Sequence, residues 1–73
     1  MFRIILENET QIHIEGFSMI KGFDTKHISV CTREYCIDVC GDNFVIAELG
    51  NSDLQITGTV TSVNYTRISK EMN

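Results

Sequence analysis

A long stretch near the C-terminus, Leu54-Gln55-Ile56-Thr57-Gly58-Thr59-Val60-Thr61-Ser62-Val63-Asn64-Tyr65-Thr66, alternates apolar and polar side chains and is rich in Thr and Val. That period of two specifies a pleated strand with one face buried and one face wet. The remainder of the 73 residues repeats the theme in shorter pieces. Candidate strands lie around 2–6, 10–17, 27–32, 35–40, 44–49 and 53–66. Between them stand the turn signals Asn8-Glu9, Lys21-Gly22 through Asp24, Gly41-Asp42-Asn43 and Gly50-Asn51-Ser52. Phe17-Ser18-Met19-Ile20 reads either as a strand or as one helical turn. No segment is long enough and 3.6-periodic enough to make a helix. The expected fold is all-β: a small antiparallel β-sandwich or rolled sheet of about six or seven short strands with little or no helix. It forms a single domain over 1–73 with its core in about 8–66.

The middle of the chain permits a register argument. A two-residue turn at Arg33-Glu34 sets Cys31 against Cys36, Val30 against Ile37 and Ile28 against Val39. Ser29 then meets Asp38 on the other face. A slip of one residue would mix the faces, so this register is favoured. A second hairpin turning near Gly41-Asp42 sets Val39 against Phe44 and Ile37 against Ile46. The reverse face of that strand, Val45, Ala47 and Leu49, is apolar as well, and a strand apolar on both faces is usually covered on both. The cover is either the N-terminal strands folding over or another copy of the chain. The candidate interface is therefore Val45, Ala47 and Leu49, with Thr59 and Thr61 of the final strand. In that strand Leu54, Ile56, Gly58 and Val60 hold one phase, and Val63 and Tyr65 the other. A bulge or a bend near Thr61-Ser62 must absorb the shift, and Gly58 suits a bend or a close backbone approach.

Ten acidic and six basic residues give a formal charge of −4 without any basic stripe, which argues against nucleic-acid binding. Ile4-Ile5-Leu6 is far too short for a membrane span or a signal-peptide core, so direct membrane insertion is not expected and the chain reads as cytoplasmic. A chain of this size buries only ~60% of its unfolded surface, so a partner subunit, a disulfide or a metal often assists.

Little in the sequence suggests chemistry. The spacing of Cys31, Cys36 and Cys40 matches no zinc or redox template. On one strand Cys36 and Cys40 sit about 13 Å apart, too far to share an ion. Cys31 and Cys36 are close enough to oxidise if directly opposed, although a cytosolic protein is expected to keep them as buried thiols. His13 and His27 read as surface imidazoles, and Asp38 between two cysteines lacks a base nearby in sequence. Gly41 and Gly50 read as turn residues rather than as parts of a phosphate loop. No catalytic residue, cofactor or metal site is expected.

From Gly41 to Leu49 and again from Leu54 to Tyr65, the chain resembles the YabP/YqfC family of sporulation proteins. Leu54, Ile56, Gly58, Val60, Val63 and Tyr65 occupy a Leu-x-Ile-x-Gly-x-Ile-x-x-Ile-x-Tyr signature, phase break included. Ile12, Ile14, Gly16 and the segment Phe17 to Gly22 look like the family's first strand pair. The resemblance implies a non-enzymatic protein needed for endospore formation, acting in the mother cell by protein–protein contact or assembly. It also implies a membrane-bound sporulation protein as partner and an expectation of residues upstream of the first strand. A homo-oligomer built by edge-strand pairing is the expected form, since no proline or inward charge blocks the last strand. The alternative is a small ligand- or metal-binding β-domain that uses the Cys31, Cys36 and Cys40 face.

Overall fold

The computed structural model describes residues 2–8 and 10–68 and contains six strands and no helix among them. They are β1 (Arg3–Glu7), β2 (Gln11–Glu15), β3 (Met19–Asp24), β4 (His27–Cys31), β5 (Tyr35–Leu49) and β6 (Asp53–Arg67). All neighbours are antiparallel, in the order β1-β2-β6-β5-β4-β3. The all-β expectation holds, but two strands are not short: β5 and β6 each run fifteen residues.

Those two long strands explain how one sheet makes a core. β2 pairs only with the first third of β6, Gln11 opposite Thr57 through Glu15 opposite Asp53. β4 pairs only with the first part of β5, His27 opposite Cys40 through Cys31 opposite Cys36. The β5–β6 ribbon thus carries the β1–β2 hairpin at one end and the β3–β4 hairpin at the other. Yet Ile12 and Ile14 of β2 share one buried cluster with Ile28 and Val30 of β4. The sheet therefore rolls over, giving two four-stranded layers that share the ribbon.

The registers place the apolar residues in rows. In the first layer Ile4, Ile14, Leu54 and Leu49 lie abreast, with Leu6, Ile12, Ile56 and Ile46 beside them. In the second, Ile20, Val30, Ile37 and Tyr65 form one row and Phe23, Ile28, Val39 and Val63 the other. The four central residues of each layer are fully buried, and the outer columns open to solvent. Burying each such aliphatic side chain contributes about 1.5–3 kcal/mol, so these eight residues dominate the stabilisation.

The bend lies where β5 carries Gly41 to Phe44. Three register shifts crowd the ribbon: Thr61 is the extra residue opposite Cys40 and Gly41, Asn43 and Phe44 stand against Gly58, and Ala47 is extra opposite Ile56 and Gln55. Each bulge adds local twist and bending. Asn43 and Gly58 have φ of 58° and 146°, and a Cβ on Gly58 would sit 2.6 Å from Phe44 Cδ1. A Cβ on Gly41 would collide with the carbonyl oxygen of Thr59. The Phe44 ring fills the space both glycines leave. The Gly41 and Phe44 amides donate to the Lys26 and Thr25 carbonyls, both at 2.9 Å. On the other strand the Gly58 amide donates to the Thr10 carbonyl at 3.0 Å. Both short hairpins are thus pinned at the fold line.

Several sequence expectations are met here. The register from Ile28 to Cys31 against Cys36 to Val39 is as read, and the phase break of the last strand is a bulge at Thr61. Others are corrected. No hairpin turns at Gly41-Asp42: Val39 faces Val63 and Ile46 faces Ile56, so the two short strands read at 35–40 and 44–49 are one. Gly41 is a bend residue inside it rather than a turn. Lys21-Gly22 is a bulge within β3, and the real turn is Thr25-Lys26, where Asp24 Oδ1 accepts the Lys26 amide at 2.8 Å.

Candidate functional site

The cysteine face forms on the outside of the second layer. Cys31 and Cys36, directly opposed, are joined by a disulfide, which corrects the expectation of thiols. Redox compartment, not geometry, had argued for the reduced form. Cys40 is a half-buried free thiol opposite His27. His27 Nε2 lies 3.2 Å from Asp38 Oδ1, a pairing between adjacent strands that linear spacing concealed. With two of its three sulfurs in a disulfide, the face has one thiol to offer. Among the described residues no group of three His, Cys, Asp or Glu side chains could hold a metal ion. The metal-binding alternative therefore lacks a donor set, and His27 and Asp38 act as a cross-strand polar pair.

The opposite end of the sheet carries an ionic cluster. Glu15 Oε2 accepts from Arg3 Nε at 2.8 Å and approaches Arg3 Nη2 at 2.6 Å, while His13 Nε2 lies 3.5 Å from Glu15 Oε1. The Arg3 hydrogen bond, ahead of its charge and of His13, holds the Glu15 carboxyl below the usual carboxylate range, against a smaller opposing effect of desolvation. Arg3, Glu15, Gly16, Ser52 and Asp53 line a surface hollow there. It brings two carboxylates, a guanidinium and the Ser52 hydroxyl to one surface.

The third feature is the set of sheet edges. Beyond Cys40, no described strand pairs the side of β5 away from β6; beyond Gly58, none pairs the side of β6 away from β5. Two open edges result, Val45–Leu49 and Thr59–Arg67, in addition to the outer sides of β1 and β3. All five candidate interface residues, Val45, Ala47, Leu49, Thr59 and Thr61, are exposed. Val45 is 59% and Leu49 60% accessible, so the N-terminal strands do not fold over them, as one expectation had it. Val45 points outward beside Thr57, whereas Leu49 belongs to the inner face at its rim. Thr61 Oγ1 donates back to the Cys40 carbonyl at 3.1 Å, which seals its bulge. Tyr65, 65% accessible, stands outside the interface set read from the sequence, although its place in the alternation marks it as inward-facing. It ends a row of the core, with its ring centroid 5.2 Å from that of Tyr35.

The YabP family model matches residues 2–72, nearly the whole chain. The chain belongs to the YabP family. No curated protein and no solved structure matches it. Membership points to a sporulation-related protein. No helix among the described residues is long and apolar enough to cross a membrane.

Proposed function

We propose that this YabP-family chain is a non-enzymatic sporulation protein that works by protein–protein contact in the cytoplasm of the mother cell during endospore formation. A membrane-bound sporulation protein is the partner this reading names. Family membership supports the sporulation setting. The observation that carries the contact mechanism is the open edge of β6 from Thr59 to Arg67, which bears the accessible side chain of Tyr65. An unpaired strand offers alternating N–H and C=O groups to any extended partner segment, and side chains on either face set the choice of partner.

The test is genetic and biochemical together. Deletion of the gene should lower the yield of heat-resistant spores, and the native chain should restore it. A Tyr65→Lys variant with unchanged circular dichroism should fail to restore it and should lose the partners that the native chain retains in sporulating cells. Full rescue by that variant would refute the edge mechanism, and normal sporulation without the gene would refute the role.

A further inference from the structure

The occupant of the β6 edge can be argued one step beyond the proposed function, on which this inference rests. The Ile68 amide donates to the Glu34 carbonyl at 2.9 Å, continuing the β5–β6 ladder past Tyr35 opposite Arg67. Backbone groups alternate sides along an antiparallel strand. Thr66, Asn64 and Ser62 therefore direct theirs at β5, while Val63, Tyr65 and Arg67 present three N–H and three C=O groups outward.

The other edges carry devices that discourage pairing. β1 begins and ends with Arg3 and Glu7, β3 has its bulge at Lys21 and ends on Asp24, and the open half of β5 is bulged at Ala47 beside Glu48. Charges and bulges at edges are how sheets avoid each other. From Ser62 onward β6 has neither, save Arg67 at its end.

We infer that β6 pairs with β6 of a second copy of this chain, antiparallel about a two-fold axis through Asn64. That register sets Val63 of each copy against Tyr65 of the other and Ser62 against Thr66, with Asn64 facing Asn64. Directly opposed residues then share a face, apolar on one side and small and polar on the other, and the aromatic–β-branched pairs are of a favourable kind. A parallel, in-register pairing would place Arg67 on Arg67; the antiparallel one does not. A two-fold contact uses the same patch twice, as most homodimers do. It covers the exposed end of the Ile20, Val30, Ile37 and Tyr65 row and joins the second layers of two copies into one eight-stranded layer.

Sedimentation of the native chain over a concentration series tests the inference, with Tyr65→Pro and Tyr65→Lys as variants. Among the described residues no strand pairs the outer side of β6 at Tyr65, so proline there leaves the described ladder intact while removing a donor from the proposed contact. The lysine variant adds edge charge without altering the backbone. The native chain should reach the mass of a dimer, and both variants should remain monomers with unchanged circular dichroism. In a Cys40→Ser background, Asn64→Cys should give a covalent dimer on mild oxidation, and Val45→Cys should not. A native chain that stays monomeric at its highest soluble concentration overturns the inference, as does a dimer that both variants preserve. If the monomer nevertheless requires Tyr65 to support sporulation and retain its partners, the proposed function stands and only the second copy is withdrawn.

Discussion

Replacing Gly58 with Ala tests whether the rolled fold depends on the bend. Gly58 sits mid-strand with φ of 146°, where an L-residue is strained by about 1–3 kcal/mol. The added Cβ would also meet Phe44 Cδ1 at 2.6 Å and the carbonyl oxygens of Asn43 and Asp42 at 2.9 Å each. Phe44 is fully buried, so its ring has little room to retreat, and overpacking of this kind costs another ~1–3 kcal/mol. The sum, about 2–6 kcal/mol, rivals the ~3–5 kcal/mol a core in so small a chain supplies. Gly22→Ala is the control, because nothing lies within 4 Å of its Cβ position and its φ is not positive. Thermal melting followed by far-ultraviolet circular dichroism reads the difference. At ~4–8 °C per kcal/mol, Gly58→Ala should lose at least ~8 °C or fail to fold, while Gly22→Ala should melt within a few degrees of the native chain. A Gly58→Ala melting point matching the native one would refute the account of the bend.

Other perturbations probe the remaining features. Phe44→Ala should cost ~3–5 kcal/mol by urea denaturation, since it empties the space between Gly41 and Gly58. Thiol titration of unreduced native protein should find Cys40 alone, and Cys31→Ser/Cys36→Ser should lower stability by ~2 kcal/mol, because the disulfide closes only a six-residue loop (sequence separation 5). Finding three thiols in protein purified under air would contradict the cross-strand bond. Glu15, with its folded-state carboxyl lowered by Arg3, favours the folded state above the ordinary Glu pKa of 4.5, and that contribution disappears as pH falls through the lowered value. Arg3→Ala should therefore narrow the stability difference between neutral and acid pH, measured as melting point against pH.

Much of this architecture could be read from residue order, and where reading failed the reason is physical. Period-two alternation located β2, β4 and β6, and facing like with like recovered the Cys31 to Cys36 register. The phase slip between Val60 and Val63 marked the Thr61 bulge because a bulge alters which residues face inward. Gly41-Asp42-Asn43 misled because left-handed backbone, as at Asn43, serves a sharp turn and a bent strand equally well. Only the distant carbonyls of Thr25 and Lys26, accepting from Phe44 and Gly41, decide between them. Among the candidate interface residues, alternation showed that Val45 faces outward, but the Ala47 bulge returned Leu49 to the inner side, which no local pattern announced. The open edge of β6 was foreshadowed by its lack of proline and inward charge; that the pairing with β2 ends at Gln11 opposite Thr57 was not.

Because β5 and β6 each run through both layers, neither layer has a private set of strands with which to survive alone. Melting one half strips the other of two of its four members, so loss of structure should be all-or-none rather than stepwise. The same sharing makes assembly wait on partners far apart along the chain, Gln11 for Thr57 among them. A molecule wired this way should reach its native state slowly for its size.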